Sequence, residues 1–108
     1  MARADRIGKH KTTVTTYDSY TCVQYHSTVV VKFNGREIIL DSGGWRTNTT
    51  KTRMNQASRE YGLGFYVFQD NFDWFVKLDD CDPLKFESGM KIDRIARKLI
   101  YKGEAVNA

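Results

Sequence analysis

At 108 residues the chain has room for one hydrophobic core and not for two. Apolar and charged fractions of 41% and 28% are those of an ordinary soluble domain, and no apolar run approaches the roughly 20 residues that a membrane-spanning helix needs. A formal charge of +4 and a pI near 9.1 lean modestly toward a polyanionic partner.

The charge is unevenly spread. Residues 1–11, "MARADRIGKHK", carry Arg3, Arg6, Lys9 and Lys11 against Asp5 alone. They lack the apolar core of a secretory signal and read as a mobile basic arm. From Thr12 the β-branched and aromatic content rises, and "TTVTTY" and "YTCVQYHSTVVVKF" read as strands joined by a turn at Asp18-Ser19. In "VVVKFNGREIIL" the Asn34-Gly35 pair suits a type I′ turn. A two-residue loop there sets Phe33 opposite Arg36, Val31 opposite Ile38 and Val29 opposite Leu40 on the core face. Lys32 then stands opposite Glu37 on the other face.

"DSGG", residues 41–44, ends the strand pattern, and "TNTTKTRMNQASREYG" turns helical. Thr47, Asn48, Thr49 and Thr50 are N-cap candidates, Met54, Ala57 and Tyr61 share a face, and Gly62 suits the position just past the helix. "FYVFQDNFDWFVKL" predicts a second hairpin with Asp70-Asn71 as its loop, Val67 opposite Trp74 and Tyr66 opposite Phe75. Tyr66, Phe68 and Phe75 share one face and are assigned to the core, where aromatic rings usually lie. "LKFESGMKID" adds a short strand broken at Ser88-Gly89. "DRIARKLIYK" reads as a terminal helix on Ile95, Leu99 and Ile100, with a last strand as the alternative. The fold class is α+β: an antiparallel sheet of about five to six strands, one central helix packed on it and a C-terminal helix. Residues 12–102 form one domain, and 103–108 a tail.

A P-loop needs lysine directly after its last glycine, and here Trp45 follows Gly43-Gly44, so a nucleotide-binding loop is excluded. The plain reading of the segment is a strand-to-helix joint capped by threonine. Between Gly43 and Arg59 there are four cations, Arg46, Lys51, Arg53 and Arg59, and no acid. Lys51, Asn55 and Arg59 recur at i, i+4 and i+8, which predicts one outward polar stripe opposite Met54 and Ala57. Bases mixed with amides on such a stripe suit phosphates and base edges, so Arg46, Lys51, Arg53, Asn55 and Arg59 are the candidate nucleic-acid contacts. An amphipathic helix with a solvated face is the bland alternative.

Catalysis has thinner support. His26 lies outward on its strand, diagonally near Asp41, and a His–Asp pair can act as a general base. Asp79, Asp80 and Asp82 in "DDCDP" lack the ligand pattern and glycine of a calcium loop. No metal and no cofactor are expected. Cys22 and Cys81 are not in metal-ligand spacing; reduced thiols are the plain reading, and a single disulfide stays open.

The run "YHSTVVVKFNGREIILDSGGWRTNTTKTRMNQAS", with "GFYVFQDNFDWFV" and "FESGM", resembles small proteins of tailed bacteriophages that have no established activity. The residues that carry the resemblance are His26, Thr28, Ser42, Gly43, Gly44, Trp45, Thr49, Thr50, Lys51, Arg53, Met54 and Asn55. It implies a phage origin and action in the host cytoplasm, and implies no reaction. Three readings follow. The first is a non-enzymatic phage protein that binds nucleic acid through the basic helix surface and the arm. The alternative is a module that inhibits or redirects a host protein, and the second alternative is a small nuclease that uses His26.

Overall fold

A computed structural model describes residues 11–44, 47–78 and 82–101. The basic arm before Lys11, Trp45, Arg46, the Asp79–Cys81 stretch and the tail lie outside the described residues. Along the chain come β1 (Thr12–Tyr17), β2 (Tyr20–Tyr25), β3 (Thr28–Phe33), β4 (Glu37–Leu40), α1 (Asn48–Tyr61), β5 (Phe65–Asp70), β6 (Asp73–Leu78), β7 (Leu84–Lys85), β8 (Met90–Asp93) and β9 (Lys98–Tyr101). The class is α+β and mostly β. One antiparallel sheet of six strands runs in the order β1-β2-β3-β4-β8-β9, and a second of three strands runs β5-β6-β7. The expected single sheet is therefore two.

Three hairpin details differ from the expectations above. Asn34-Gly35 does not form a two-residue turn. The Asn34 Oδ1 accepts the amides of Arg36 (2.8 Å) and Glu37 (2.9 Å), the loop widens, and Phe33 pairs with Ile38 and Val31 with Leu40. Glu37 moves opposite Asp93 instead of Lys32, where it accepts from the Tyr20 hydroxyl and meets Lys91 at 3.7 Å. The hydrogen bond to Glu37 lifts the Tyr20 phenol above its ordinary range.

The second hairpin turns at Asn71-Phe72, both with positive φ, so Val67 pairs with Val76 and Phe68 with Phe75. The C-terminal helix is absent: "DRIARKLIYK" is the end of β8, a turn and β9. The Asp93 carboxylate accepts the amides of Ile95 (2.8 Å) and Ala96 (2.9 Å), which curls the chain into that turn. Ile95, which helical spacing pairs with Leu99, is left exposed on the turn.

The core lies between the sheets and around α1. Val23, Val31, Phe33, Ile38, Leu40 and Ile92 come from the large sheet. Phe65, Val67, Trp74 and Val76 come from the small one, and Met54 and Ala57 from the helix. A bulge between Val23 and Gln24 lets Val30 and Val31, neighbours in sequence, both be buried. α1 begins at Thr47, whose side chain accepts from the Thr50 amide, and ends at Gly62 in the left-handed conformation.

The helix meets β5 through polar atoms. Asn55 Nδ2 donates to Val67 O (2.8 Å) while the Val67 amide donates to Asn55 Oδ1 (2.7 Å). Three residues on, Ser58 Oγ donates to Phe65 O (2.6 Å) and accepts from the Phe65 amide (3.0 Å). Two side chains at i, i+3 thus satisfy the edge strand at alternate residues, as a neighbouring strand does.

Candidate functional site

An open cleft of about 370 Å³ lies where the β2–β3 turn, the segment after β4 and the start of α1 meet. The turn contributes Tyr25, His26, Ser27 and Thr28, with Val30 beneath. His26 has φ 55°, a region in which histidine is enriched among side-chain-bearing residues, and its amide donates to Lys11 O at 2.8 Å. The segment after β4 contributes Ser42, which is buried and hydrogen-bonded to Ser88 Oγ at 3.0 Å. Asp41 Oδ1 and Ser42 Oγ accept the amides of Gly43 (2.7 Å) and Gly44 (3.3 Å), fixing the bend.

Gly43 carries a close approach. Its φ is +63°, and a Cβ built there lies 2.3 Å from Thr28 Oγ1. Only glycine lets the bend run this near the cleft wall. The helix contributes Thr47 and Thr50, whose hydroxyls lie 3.0 Å apart. The lining is thus hydroxyls, one imidazole and apolar surface, with no carboxylate, at the amide-bearing end of a helix whose first turn holds no acid. That end carries a partial positive charge, and free hydroxyls donate to oxyanions.

The rim is where bases gather. Arg53 Nε donates to Thr12 Oγ1 (2.9 Å), its Nη1 to Gln56 Oε1 (3.2 Å), and its guanidinium lies 5.7 Å from the Tyr25 ring centroid. The His26 ring meets that tyrosine edge-on at 4.4 Å. Arg53 and His26 are therefore brought together at Tyr25, and the Lys11 backbone joins them through its bond to the His26 amide.

The remaining predicted residues do not converge. Asn55 is 8% exposed, and its amide is committed to Val67, so it belongs to the core and not to an outward stripe. Lys51 is half-buried with Nζ 5.9 Å from the Trp74 ring, and at 3.6 residues per turn it lies about 160° around the helix from Arg53. Arg59 is exposed in the last turn, and Arg46 lies outside the described residues. His26, expected on the outward face of a strand, lies instead in the turn that divides β2 from β3; it shares no hydrogen bond with Asp41 among the described residues, and the Asp41 carboxylate caps Gly43. No group of three metal-ligating side chains occurs among the described residues, and Cys22 is a buried free thiol. No helix among them is long and apolar enough to cross a membrane.

Tyr66, Phe68 and Phe75, expected in the core, lie on the outer face of the small sheet. Their rings step along it at 6.2 and 5.7 Å, and Tyr66 is 52% exposed. The alternation left a choice of two apolar faces, and Trp74 took the inner one by packing on Phe86. Sequence reading also passed over Tyr25 and Ser27 as site residues. The available signal was the set quoted for the phage resemblance: His26, Thr28, Ser42 and Thr50 from it all line the cleft.

A family model described as Kyanoviridae Gp96 protein matches residues 1–93. Neither the curated proteins nor the solved structures contain a match.

Proposed function

The chain belongs to the Kyanoviridae Gp96 protein family, a phage protein family, and from that premise we propose that it is a small non-enzymatic phage protein that binds nucleic acid. The observation that carries the reading is the cleft: a hydroxyl-lined seat without carboxylates at a helix N-terminus, with the Arg53 guanidinium against its Tyr25 wall and the Lys11 backbone bonded to its His26. A backbone phosphate fits its chemistry. Threonine and serine hydroxyls donate to the oxygens, His26 adds a ring N–H, and the rim cations supply the attraction that draws a polyanion in. The four bases among residues 1–11, Arg3, Arg6, Lys9 and Lys11, add to the positive charge that a polyanion would meet.

Affinity from phosphate contacts falls with salt because bound counterions are released. The test is fluorescence anisotropy with labelled single- and double-stranded DNA and RNA at two salt concentrations. Binding is expected to weaken with salt. Reversing Lys11 and Arg53 to Glu should lower affinity and flatten the log–log salt slope by about two. Absence of binding at low salt refutes the reading. Incubating the same oligonucleotides with and without divalent metal should leave them intact; cleavage restores the His26 nuclease.

The second reading, contact with a host protein, draws on a different surface. Phe72 stands 87% exposed at the β5–β6 tip, between Asp70 and Asp73 in the chain, on the hairpin that carries the outer aromatic rings. Such an apolar surface with acids suits a basic protein better than a polyanion. Capture of a host protein that survives nuclease treatment, and is lost with Tyr66→Ser and Phe72→Ser, selects this reading.

A further inference from the structure

Two exposed apolar residues sit on hairpin turns of opposite charge. Phe72 lies between Asp70 and Asp73 in the chain, whereas Ile95, 75% exposed, lies among cations. Glu37 pairs with Asp93, and the Arg94 amide donates to Arg36 O at 2.8 Å. The β3–β4 loop and the β8–β9 turn therefore lie side by side at one end of the large sheet, and Arg36, Arg94, Arg97 and Lys98 gather there. Two acids stand near them. The Asp93 carboxylate accepts two backbone amides while the charges of Arg36 and Lys98 both bear on it, and Glu37 faces Lys91. Positive charge is left in excess.

The turn is held from behind. The Arg97 amide donates to Asp93 O (2.9 Å) and its Nη2 to Gly64 O (2.9 Å), while Arg94 Nη1 donates to Asn34 O (2.6 Å). These two arginines brace the turn; Arg36 and Lys98 are exposed beside it. An isolated surface isoleucine is ordinary. One fixed on a braced turn, with cations before and after it in the chain, has the make-up of an apolar wedge flanked by phosphate contacts.

We propose that the β8–β9 turn and the β3–β4 loop form a second nucleic-acid contact, in which Arg36 and Lys98 meet backbone phosphates and Ile95 makes an apolar contact with base or sugar. The inference rests on the nucleic-acid reading above and gives the same ligand a surface separate from the cleft. β3 runs from Thr28 in the cleft to Phe33 beside this loop, six residues or about 17 Å. Charge complementarity selects the ligand: the excess of cations suits a polyanion here, as the aspartates around Phe72 do not.

Fluorescence anisotropy of the full chain with a labelled DNA duplex, across a salt series, tests this. Arg36→Gln with Lys98→Gln should weaken binding and flatten the log–log salt slope by about two, because each phosphate contact releases its own counterion. Ile95→Ser should lower affinity about tenfold with the slope unchanged, since burying an apolar side chain releases no ion. All three positions are at the surface, so thermal melts should match wild type. The two surfaces lie farther apart than the roughly 7–10 Å over which substitutions couple, so fold-losses at the turn should multiply with those of Lys11→Glu and Arg53→Glu. Wild-type slope in the glutamine pair, or wild-type affinity in Ile95→Ser, overturns the second contact and leaves the cleft standing. A wild-type chain that binds no duplex at low salt removes both. Co-sedimentation with anionic phospholipid vesicles in preference to the duplex also overturns the proposal and assigns the turn to a membrane surface.

Discussion

Replacing Asn55 by alanine separates two roles that one residue can play. On an outward stripe it contacts ligand, and its loss leaves the fold alone. Where the structure places it, its carboxamide bonds both backbone groups of Val67, at 2.7 and 2.8 Å, in a buried seam between α1 and β5. Truncation leaves a buried N–H and a buried C=O, each costing about 1–3 kcal/mol when unsatisfied, so the expected loss is about 2–6 kcal/mol. Against a total stability of about 5–15 kcal/mol this is a large share. Urea denaturation followed by tryptophan fluorescence measures it, since Trp74 lies in the same sheet as Val67. Ser58→Ala should behave similarly through Phe65. A change below about 0.5 kcal/mol, the range of ordinary surface substitutions, refutes the assignment. So does a variant of full stability that has lost nucleic-acid affinity.

Other consequences follow from the cleft and the turns. Gly43→Ala meets Thr28 Oγ1 at 2.3 Å and forces an alanine into positive φ, so a loss of about 1–2 kcal/mol or more is expected; adding Thr28→Ala should recover the steric part, giving a coupling above about 0.5 kcal/mol in a double-mutant cycle. His26→Gly relieves a positive φ while it deletes the imidazole from the cleft, so the melt should stay within about 1 kcal/mol of wild type while anisotropy records weaker binding. The amides of Ala96 and then Ile95 hold the Asp93 carboxyl below its ordinary value, with smaller help from Arg36 and Lys98. A depressed carboxylate stabilises the fold above its unfolded pKa and loses that contribution as pH falls through the folded value. Melts of Asp93→Ala should therefore lie below wild type at neutral pH and approach it under acid; a constant gap removes the carboxylate from the explanation.

The parts of the fold that sequence reading recovered share a physical cause. Both misplaced hairpin registers differ from the observed ones by two in pairing position, and two is the side-chain period of a strand. Val31, Phe33, Ile38 and Leu40 therefore reached the core even though their partners changed. Turn chemistry was the weaker guide. Gly35 lacks the positive φ that a type I′ turn asks of it, because the Asn34 side chain organises a wider loop. That geometry appears instead at Asp18-Ser19 and Asn71-Phe72. A phenylalanine at φ 70° is not a choice that turn preferences make. The C-terminal hairpin, whose last strand was the alternative reading to a helix, has the same character: Ile95 and Leu99 suggest a helix face, but an aspartate able to accept two amides curls the chain first.

The helix explains why the candidate site was read less well than the fold. Hydropathy assigned α1 one buried face, toward Met54 and Ala57, and that face is buried. It has a second, toward β5, made from Asn55 and Ser58, whose polar atoms complete a strand edge. A polar contact fully satisfied in this way carries no apolar signal, so the expected stripe of cations and amides included a structural residue. With Asn55 buried the expected stripe loses its middle, and Lys51 and Arg53, two positions apart, emerge on opposite flanks. The flank that matters is the one where Arg53 finds Tyr25, because there long-range strand pairing adds Lys11 and His26. No spacing within the helix could announce that meeting: it depends on β1 and β2 lying side by side.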